Sequence, residues 1–239
     1  MTGRAPRRPV VAIDGPAGAG KTTVTRRVAA ALGYVLVGTG ALYRAVALAA
    51  ERAGIPWTDA AAVGRLAATI AERGAIEFGA RPEGGERVLL EGEDVSAELR
   101  RERIGEGASV VSAVPAVREA LLDLQRSAGR GGGVVLEGRD IGTVVFPDAE
   151  AKIFLTASDA VRARRRWQEL AERGQAPPLE AVLRDVVERD RRDSTRPVAP
   201  LRQAPDALLV DSSELSVDEV VARIVEHVRG VERRSRGEP

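Results

Sequence analysis

Residues 9–33 read PVVAIDGPAGAGKTTVTRRVAAALG, and three textures follow one another in that stretch. PVVAID (9–14) is a continuous apolar run of the kind that forms a strand buried on both faces. A glycine-rich turn follows. In KTTVTRRVAAALG (21–33), Val24, Val28 and Leu32 then recur every four residues, and Gly33 supplies a C-terminal stop. Gly15, Gly20, Lys21 and Thr22 fit the spacing G-x-x-x-x-G-K-[ST], in the strand–loop–helix context that a phosphate loop requires. Small residues let the backbone of Gly15, Pro16, Ala17, Gly18, Ala19, Gly20, Lys21, Thr22 and Thr23 wrap closely, with N–H groups turned inward at phosphate oxygens. The helix starting near Lys21 adds its positive dipole end. Lys21 is expected on the β- and γ-phosphates and the Thr22 hydroxyl on Mg²⁺. The loop therefore holds ATP, with GTP as the alternative, and says nothing about what receives the phosphoryl group.

The rest of the chain continues the alternation. A strand YVLVG (34–38) and a helix ALYRAVALAAERAG (41–54) come next. From residue 63 the texture changes: a helix VGRLAATIAERG leads to AIEFG, the turn-rich GARPEGGE (79–86) and RVLLEGEDVS (87–96), which read as short antiparallel strands. The α/β rhythm then resumes. PAVREALLDLQRSAG, DAVRARRRWQELAERG, LEAVLRDVVERDRR and SVDEVVARIVEHVRG read as helices, and GGGVVLEG, AKIFLTA and ALLVDSS as strands. Apolar strands alternating with amphipathic helices predict an α/β domain whose parallel sheet is covered on both sides. The expected layout is a core of residues 9–62 and 105–230 with an insert at 63–104. A disordered arm at 1–8 and a disordered tail at 231–239 complete it.

Composition narrows the function. At 239 residues, 44% hydrophobic and 30% charged, the chain has the make-up of a globular domain with a real core. No run approaches the ~20 apolar residues of a membrane span, and the basic start lacks the apolar region of a secretory signal. There is no cysteine, which removes disulfides, thiolate metal sites and a cysteine nucleophile. The single histidine, His227, lies at helical spacing near the end and reads as a surface or half-buried residue. With 36 basic and 35 acidic residues the net charge is +1, which argues against a nucleic-acid binder. Only two of those basic residues are lysines; the other 34 are arginines, clustered in RARRRW (162–167) and RDRRDSTR (189–196). Downstream of a phosphate loop such runs point to polyphosphate. The absence of asparagine excludes the N-K-x-D base reader of GTPase switches. The expected protein is a cytoplasmic small kinase.

Beyond the loop, GTGALYR (38–44), LEGEDVS (90–96), VPAVREALLDLQR (114–126), EGRDIGTVVFPDA (137–149) and ERDRRDSTRPVAPL (188–201) follow the order and spacing of bacterial cytidylate kinases. The chain resembles that family over roughly residues 9–230, and the pair EGRDIGTVVFPDA and RDxxDSTRxxAPL carries most of the specificity. The resemblance implies the P-loop nucleoside monophosphate kinase fold, with a five-stranded parallel sheet, a small antiparallel monophosphate-binding insert and a helical lid at about 158–176. It implies transfer from Mg-ATP to CMP or dCMP. The chain is separately expected to be a monomer, with no nucleic-acid or membrane partner. The resemblance places Thr39, Tyr43 and Arg44 in the monophosphate segment, with Arg44 and Arg139 on the acceptor phosphate. Ser109, Arg118, Asp140 and Arg196 match cytosine-reading positions, and Arg189 and Asp193 match sugar-binding ones. Arg162, Arg164, Arg165 and Arg166 match the lid arginines. Among these, Arg139, Arg164, Arg166 and Arg189 join Lys21 as catalytic candidates, while Arg162 and Arg165 join the donor-binding set. The chain departs from the family at Gly38, where an acidic residue usually stands.

Residue chemistry agrees with this. A phosphate monoester has its second pKa near ~6 and is already nucleophilic at neutral pH, so no general base is needed. Bringing two polyanions together needs fixed cations instead, and arginine grips phosphate bidentately without losing its charge. Arg189, Asp193 and Arg196 share one face if their helix persists that far. A carboxylate accepts from the cytosine amino group, which suits Asp140 beside Arg118. Glu137, at the end of strand VVLE, is a candidate to hold Mg²⁺-bound water. Two rivals stay open at this point. One is a P-loop kinase acting on UMP, AMP or a small alcohol. The other is a non-catalytic nucleotide sensor or nucleic-acid-binding P-loop protein.

Overall fold

The computed structural model of the chain describes residues 8–80 and 86–237. In chain order the strands and helices are β1 (Val10–Asp14), α1 (Lys21–Leu32), β2 (Val35–Gly38), α2 (Gly40–Arg52), α3 (Ala60–Glu72), β3 (Ile76–Ala80), β4 (Glu86–Leu90) and β5 (Glu93–Asp94). They continue with α4 (Glu102–Val111), α5 (Pro115–Gly129), β6 (Val134–Gly138), β7 (Ala151–Thr156), α6 (Asp159–Glu172), α7 (Leu179–Thr195), β8 (Leu208–Asp211) and α8 (Val217–Ser235). No helix among the described residues is long and apolar enough to cross a membrane. The chain divides into two compact units, Met1–Gly38 with Ala128–Pro239, and Thr39–Ser127.

The first unit is built on a five-stranded parallel sheet in the order β2-β6-β1-β7-β8. β1 sits in the middle, its residues 10–14 in register with 134–138 of β6 and its residues 11–14 with 151–154 of β7. Central position explains its sequence: all five residues of VVAID are buried, and a strand covered on both faces has no use for polar alternation. Val11, Ile13, Val135, Ile153 and Leu155 join Val24 and Val28 of α1 and Val220, Ile224 and Val228 of α8 in one core. Each such side chain contributes about 1.5–3 kcal/mol when fully buried. The helix α1 stops at Gly33, whose N–H bonds the carbonyls of Ala29 and Ala30.

Two features at the termini differ from the sequence expectation. The tail expected to be disordered from residue 231 continues α8 to Ser235. Val231 packs on the core and Glu232 accepts from the Tyr34 hydroxyl at 2.6 Å, so the helix gains contacts beyond Gly230. A capping box of Ser216 and Glu219 at its start and Arg233 and Arg234 in its last turn suit the helix dipole. Arg8, placed in the expected arm, donates to Gly33 O at 3.0 Å and lies 5.5 Å from the Tyr34 ring centroid. Residues 1–7 of that arm and 238–239 of the tail lie outside the described residues, as do residues 81–85 of the turn-rich stretch.

The second unit, Thr39–Ser127, is wider than the expected 63–104 insert because α2, α4 and α5 share its core. It carries the expected antiparallel sheet, in the order β3-β4-β5. Residues 102–111, for which the sequence offered no element, form α4. Its glycines hide it from a propensity reading. Gly107 is there for space: a Cβ would come within 2.5 Å of the Trp57 ring, whose Nε1 donates to Ala47 O at 2.9 Å.

Candidate active site

The phosphate loop connects β1 to α1. Gly15 has φ 153, and a Cβ there would sit 1.9 Å from the carbonyl oxygen of Leu155, so no other residue lets the loop lie this close to β7. Lys21 is buried, and its Nζ donates to the carbonyls of Gly15 and Pro16, both at 2.7 Å. The loop thus encloses its own ammonium. Burial holds the Lys21 pKa well below the ordinary lysine value, helped by Arg139 and Arg189 and opposed by Glu137 and Asp193. The sequence-assigned Thr22 and Glu137 meet: Thr22 Oγ1 donates to Glu137 Oε1 at 3.1 Å. Thr23 is exposed on the outer side of the first helical turn.

The residues after β6 and at the end of α7 form a second cluster in the same unit. Arg139 Nε donates to Asp193 Oδ2 at 2.9 Å, and Arg196 Nη2 to Asp140 Oδ1 at 3.2 Å. Both members of the Arg196–Asp140 pair are nearly sealed from solvent, with side chains 3% and 6% exposed. Burial alone would raise the Asp193 pKa, but the charges of Arg139, Arg189 and Arg196 outweigh it and hold that carboxyl below its ordinary value. The expected shared helical face is only partly realised. α7 ends at Thr195, and Arg196 is extended at φ −62 and ψ 143. It reaches Asp140 from just beyond the helix, where its Nε also binds the carbonyl of Ala199. Proline at 197 explains the stop, since the residue before a proline is pushed out of the helical region.

The four arginines of α6 separate into two pairs. Arg162 is buried and fully engaged. Its Nε donates to Ala157 O at 2.9 Å and its Nη1 to Ala17 O at 2.9 Å, while its Nη2 meets Asp159 at 2.7 Å and Asp190 at 2.5 Å. Arg165 donates to Ser212 Oγ at 3.0 Å and Ser212 O at 2.7 Å, and more weakly to Ala19 O at 3.5 Å. These two clamp α6 to the outer wall of the phosphate loop. Arg164 is exposed and Arg166 half-buried, the latter donating to Glu169 at 3.0 Å.

The remaining sequence-assigned residues belong to the Thr39–Ser127 unit. Thr39 is buried just before α2. Arg44 Nη1 donates to Leu99 O at 2.6 Å, and the Arg118 guanidinium lies 5.3 Å from the Tyr43 ring centroid while its Nη1 donates to Ser112 O at 3.2 Å. The Ser109 hydroxyl is buried with no hydrogen-bond partner among the described residues. A buried hydroxyl left without a partner costs about 1–3 kcal/mol.

Two residues of the first unit that the sequence reading passed over bond to β6 or to the residues after it. Thr25 Oγ1, one turn beyond Thr22, donates to Glu137 Oε2 at 2.9 Å and so fixes the other carboxylate oxygen. Asp14 accepts the backbone N–H of Ile141 and of Gly142, both at 2.8 Å. A signal for Asp14 was present: it is the one charged residue closing an otherwise apolar central strand. Nothing in sequence separates Thr25 from an ordinary helix threonine.

The family model for cytidylate kinase matches residues 11–230 of this chain. A cytidylate kinase from Pelotomaculum thermopropionicum is 50% identical over 220 residues, covering 92% of this chain and 96% of its own length. One from Geobacter sp. strain M21 is 53% identical over 212 residues, 89% of each chain. Among solved structures, an uncharacterized protein from Eubacterium ventriosum matches with a TM-score of 0.50 at 11% identity, covering 93% of this chain and 99% of its own. That last likeness concerns the fold alone.

Proposed function

The chain belongs to the cytidylate kinase family, has the P-loop nucleoside monophosphate kinase fold and phosphorylates CMP and dCMP, and from this premise we propose how its residues divide the work. The donor is ATP, held by the backbone N–H groups of residues 15–23 and by Lys21. Mg²⁺ fits the oxygen donors present: Thr22 Oγ1 and the Glu137 carboxylate lie 3.1 Å apart. Among the described residues no group of three His, Cys, Asp or Glu gathers to form an all-protein cage. That suits an ion shared with substrate phosphates. When bound, it would neutralise charge on the bridging phosphate oxygens.

Arg139 and Arg44 receive the acceptor phosphate, and Asp193 holds Arg139 in orientation while reaching, with Arg189, for the sugar. Asp140 accepts from the cytosine amino group, aimed by its bond from Arg196; Ser109 and Arg118 are further cytosine contacts. The acceptor monoester attacks without help from a base, because its oxygen is already ionised at neutral pH. Catalysis is then alignment plus fixed positive charge from Lys21, Arg139, Arg164, Arg166 and Arg189. Closure of α6 and its flanking turns over ATP would exclude water and spare the donor from hydrolysis. We also take the protein to be a cytoplasmic monomer.

The observation that carries this division is geometric. Thr22 and Thr25, near the start of the helix that Lys21 opens, both bond Glu137, and Arg139, two residues further on, bonds Asp193, so the donor lysine and the acceptor cluster meet at the end of β6 in one unit. The test is Asp140→Ala assayed on CMP and UMP with a fixed donor. A fall in the CMP-to-UMP ratio of kcat/KM by about tenfold or more is expected. Unchanged selectivity would remove Asp140 from base reading.

A further inference from the structure

Asp14 is the last residue of β1 and the residue immediately before Gly15, and it spends both carboxylate oxygens on one turn of backbone. Its Oδ1 accepts from Ile141 N and its Oδ2 from Gly142 N, each at 2.8 Å. These are the two amides that follow Arg139 and Asp140. Residues 141–145 form a single wide helical turn, with Val145 N bonded to Asp140 O at 3.2 Å and Phe146 N to Ile141 O at 2.7 Å. The first amides of any helical turn lack partners within it, and a turn of this wide type is uncommon and clusters at functional sites. Asp14 supplies both missing acceptors at once. At this side-chain length only a carboxylate offers two acceptor oxygens.

The other side of the turn is gripped by the second of the chain's two lysines. The Lys152 stem lies across Gly142, where a Cβ would come within 3.3 Å of Lys152 Cγ and Cδ. Its Nζ is anchored on Asp206 at 2.8 Å and on the carbonyl of Pro147. The arrangement is costly, because burial pushes the Asp14 pKa up to about 6 against the lowering effect of the two amides, with Asp140 adding to the rise and Lys21 opposing it. A sealed carboxylate beside Asp140 is not a packing convenience.

We propose that Asp14 is a positioning residue for the acceptor site: it fixes the turn that aims Arg139 and Asp140 to the same strand end that launches the phosphate loop, so both halves of the reaction share one anchor. The inference rests on the assignment of Arg139 and Asp140 to the acceptor. Its consequence is that Arg139 and Asp140 are aimed before CMP arrives, which removes an ordering cost from acceptor binding.

The test compares Asp14→Asn with the native protein. Asparagine keeps the shape but turns an N–H₂ toward one of the two amides. The KM for CMP should rise by about tenfold or more, the range seen when a supporting residue behind a functional group is lost. The KM for ATP should stay within about threefold, and the CMP-to-UMP ratio of kcat/KM should fall by about fivefold or more. Equal changes in both KM values with selectivity intact, or no change in either, would overturn the proposal in favour of a purely structural role. Amide hydrogen exchange on the native protein covers the case in which the variant does not fold. Without nucleotide, Ile141 and Gly142 N–H should already exchange about a hundredfold or more slower than an open amide. Free exchange that slows only when CMP is added would equally overturn it. Asp140→Ala run in parallel separates the two claims. If Asp140→Ala leaves selectivity untouched, the acceptor assignment itself has failed. If it alters selectivity and Asp14→Asn does not, only the role of Asp14 has.

Discussion

Lys21 and Asp14 sit at opposite ends of one glycine-rich loop, and both carry charge where burial resists it. For Lys21 the resistance is useful, since an ammonium stripped of water interacts more strongly with any phosphate that replaces it. For Asp14 it creates a dependence on pH whose sign is fixed. Its folded pKa of about 6 lies above the ordinary 3.8, so the folded protein keeps a proton that the unfolded chain has already lost. Stability from this group is therefore fully present below about pH 4 and declines as pH rises to about 6, by on the order of 3 kcal/mol. Asp193 runs the other way: its lowered pKa gives stability that is present above the ordinary carboxylate range and lost on acidification. Urea melts of the native protein and Asp14→Asn should separate the two. Between pH 4 and pH 7 the difference in stability should shift toward the variant by that amount, and a difference that stays flat would contradict the buried-carboxylate argument. The phosphate loop was legible in the sequence because its spacing is tied to its chemistry, whereas Asp140 and Asp193 were singled out through the family resemblance. Thr25 was not, because its work depends on a partner 112 residues away.

Among the elements, α6 is the one proposed to close over the donor, and it is anchored at its root. Its first turn is pinned to the phosphate loop through Arg162, while Arg164 and Arg166 further along point to less buried surroundings. Arg162 therefore acts as an anchor, and its contact with Ala17 O is the protein side of the donor loop. Arg162→Ala should cost about 3 kcal/mol in a urea melt, because it leaves the Asp190 carboxylate without its cation. It should also raise the KM for ATP more than that for CMP. A loss below about 0.5 kcal/mol, the usual range for surface positions, would show that the contacts of Arg162 are incidental. Helix ends were the least legible level of the structure. α4 hides behind glycines that a propensity scale penalises, although Gly107 is present to admit Trp57. The end of α8 reads as a polar tail until Val231 and Glu232 are seen to meet the core and Tyr34.

At the scale of the whole molecule, alternating apolar strands and amphipathic helices were enough to indicate a parallel sheet, and its order puts the phosphate-loop strand in the centre. The extent of the second unit was not visible, because α2 and α5 read as ordinary helices of the α/β alternation and only tertiary packing assigns them to it. The proposed function rests on the charges the first unit gathers: the buried Lys21 and two carboxylate–arginine pairs, Asp193 with Arg139 and Asp140 with Arg196. The measurement that tests this most directly is initial ADP formation from Mg-ATP with CMP, dCMP, UMP, AMP, GMP and dTMP offered separately. CMP and dCMP should exceed the purine nucleotides and dTMP by about a hundredfold or more in kcat/KM, with UMP poorer than CMP. Comparable turnover on a purine monophosphate, or on UMP and CMP alike, would contradict the account of Asp140 as the cytosine reader.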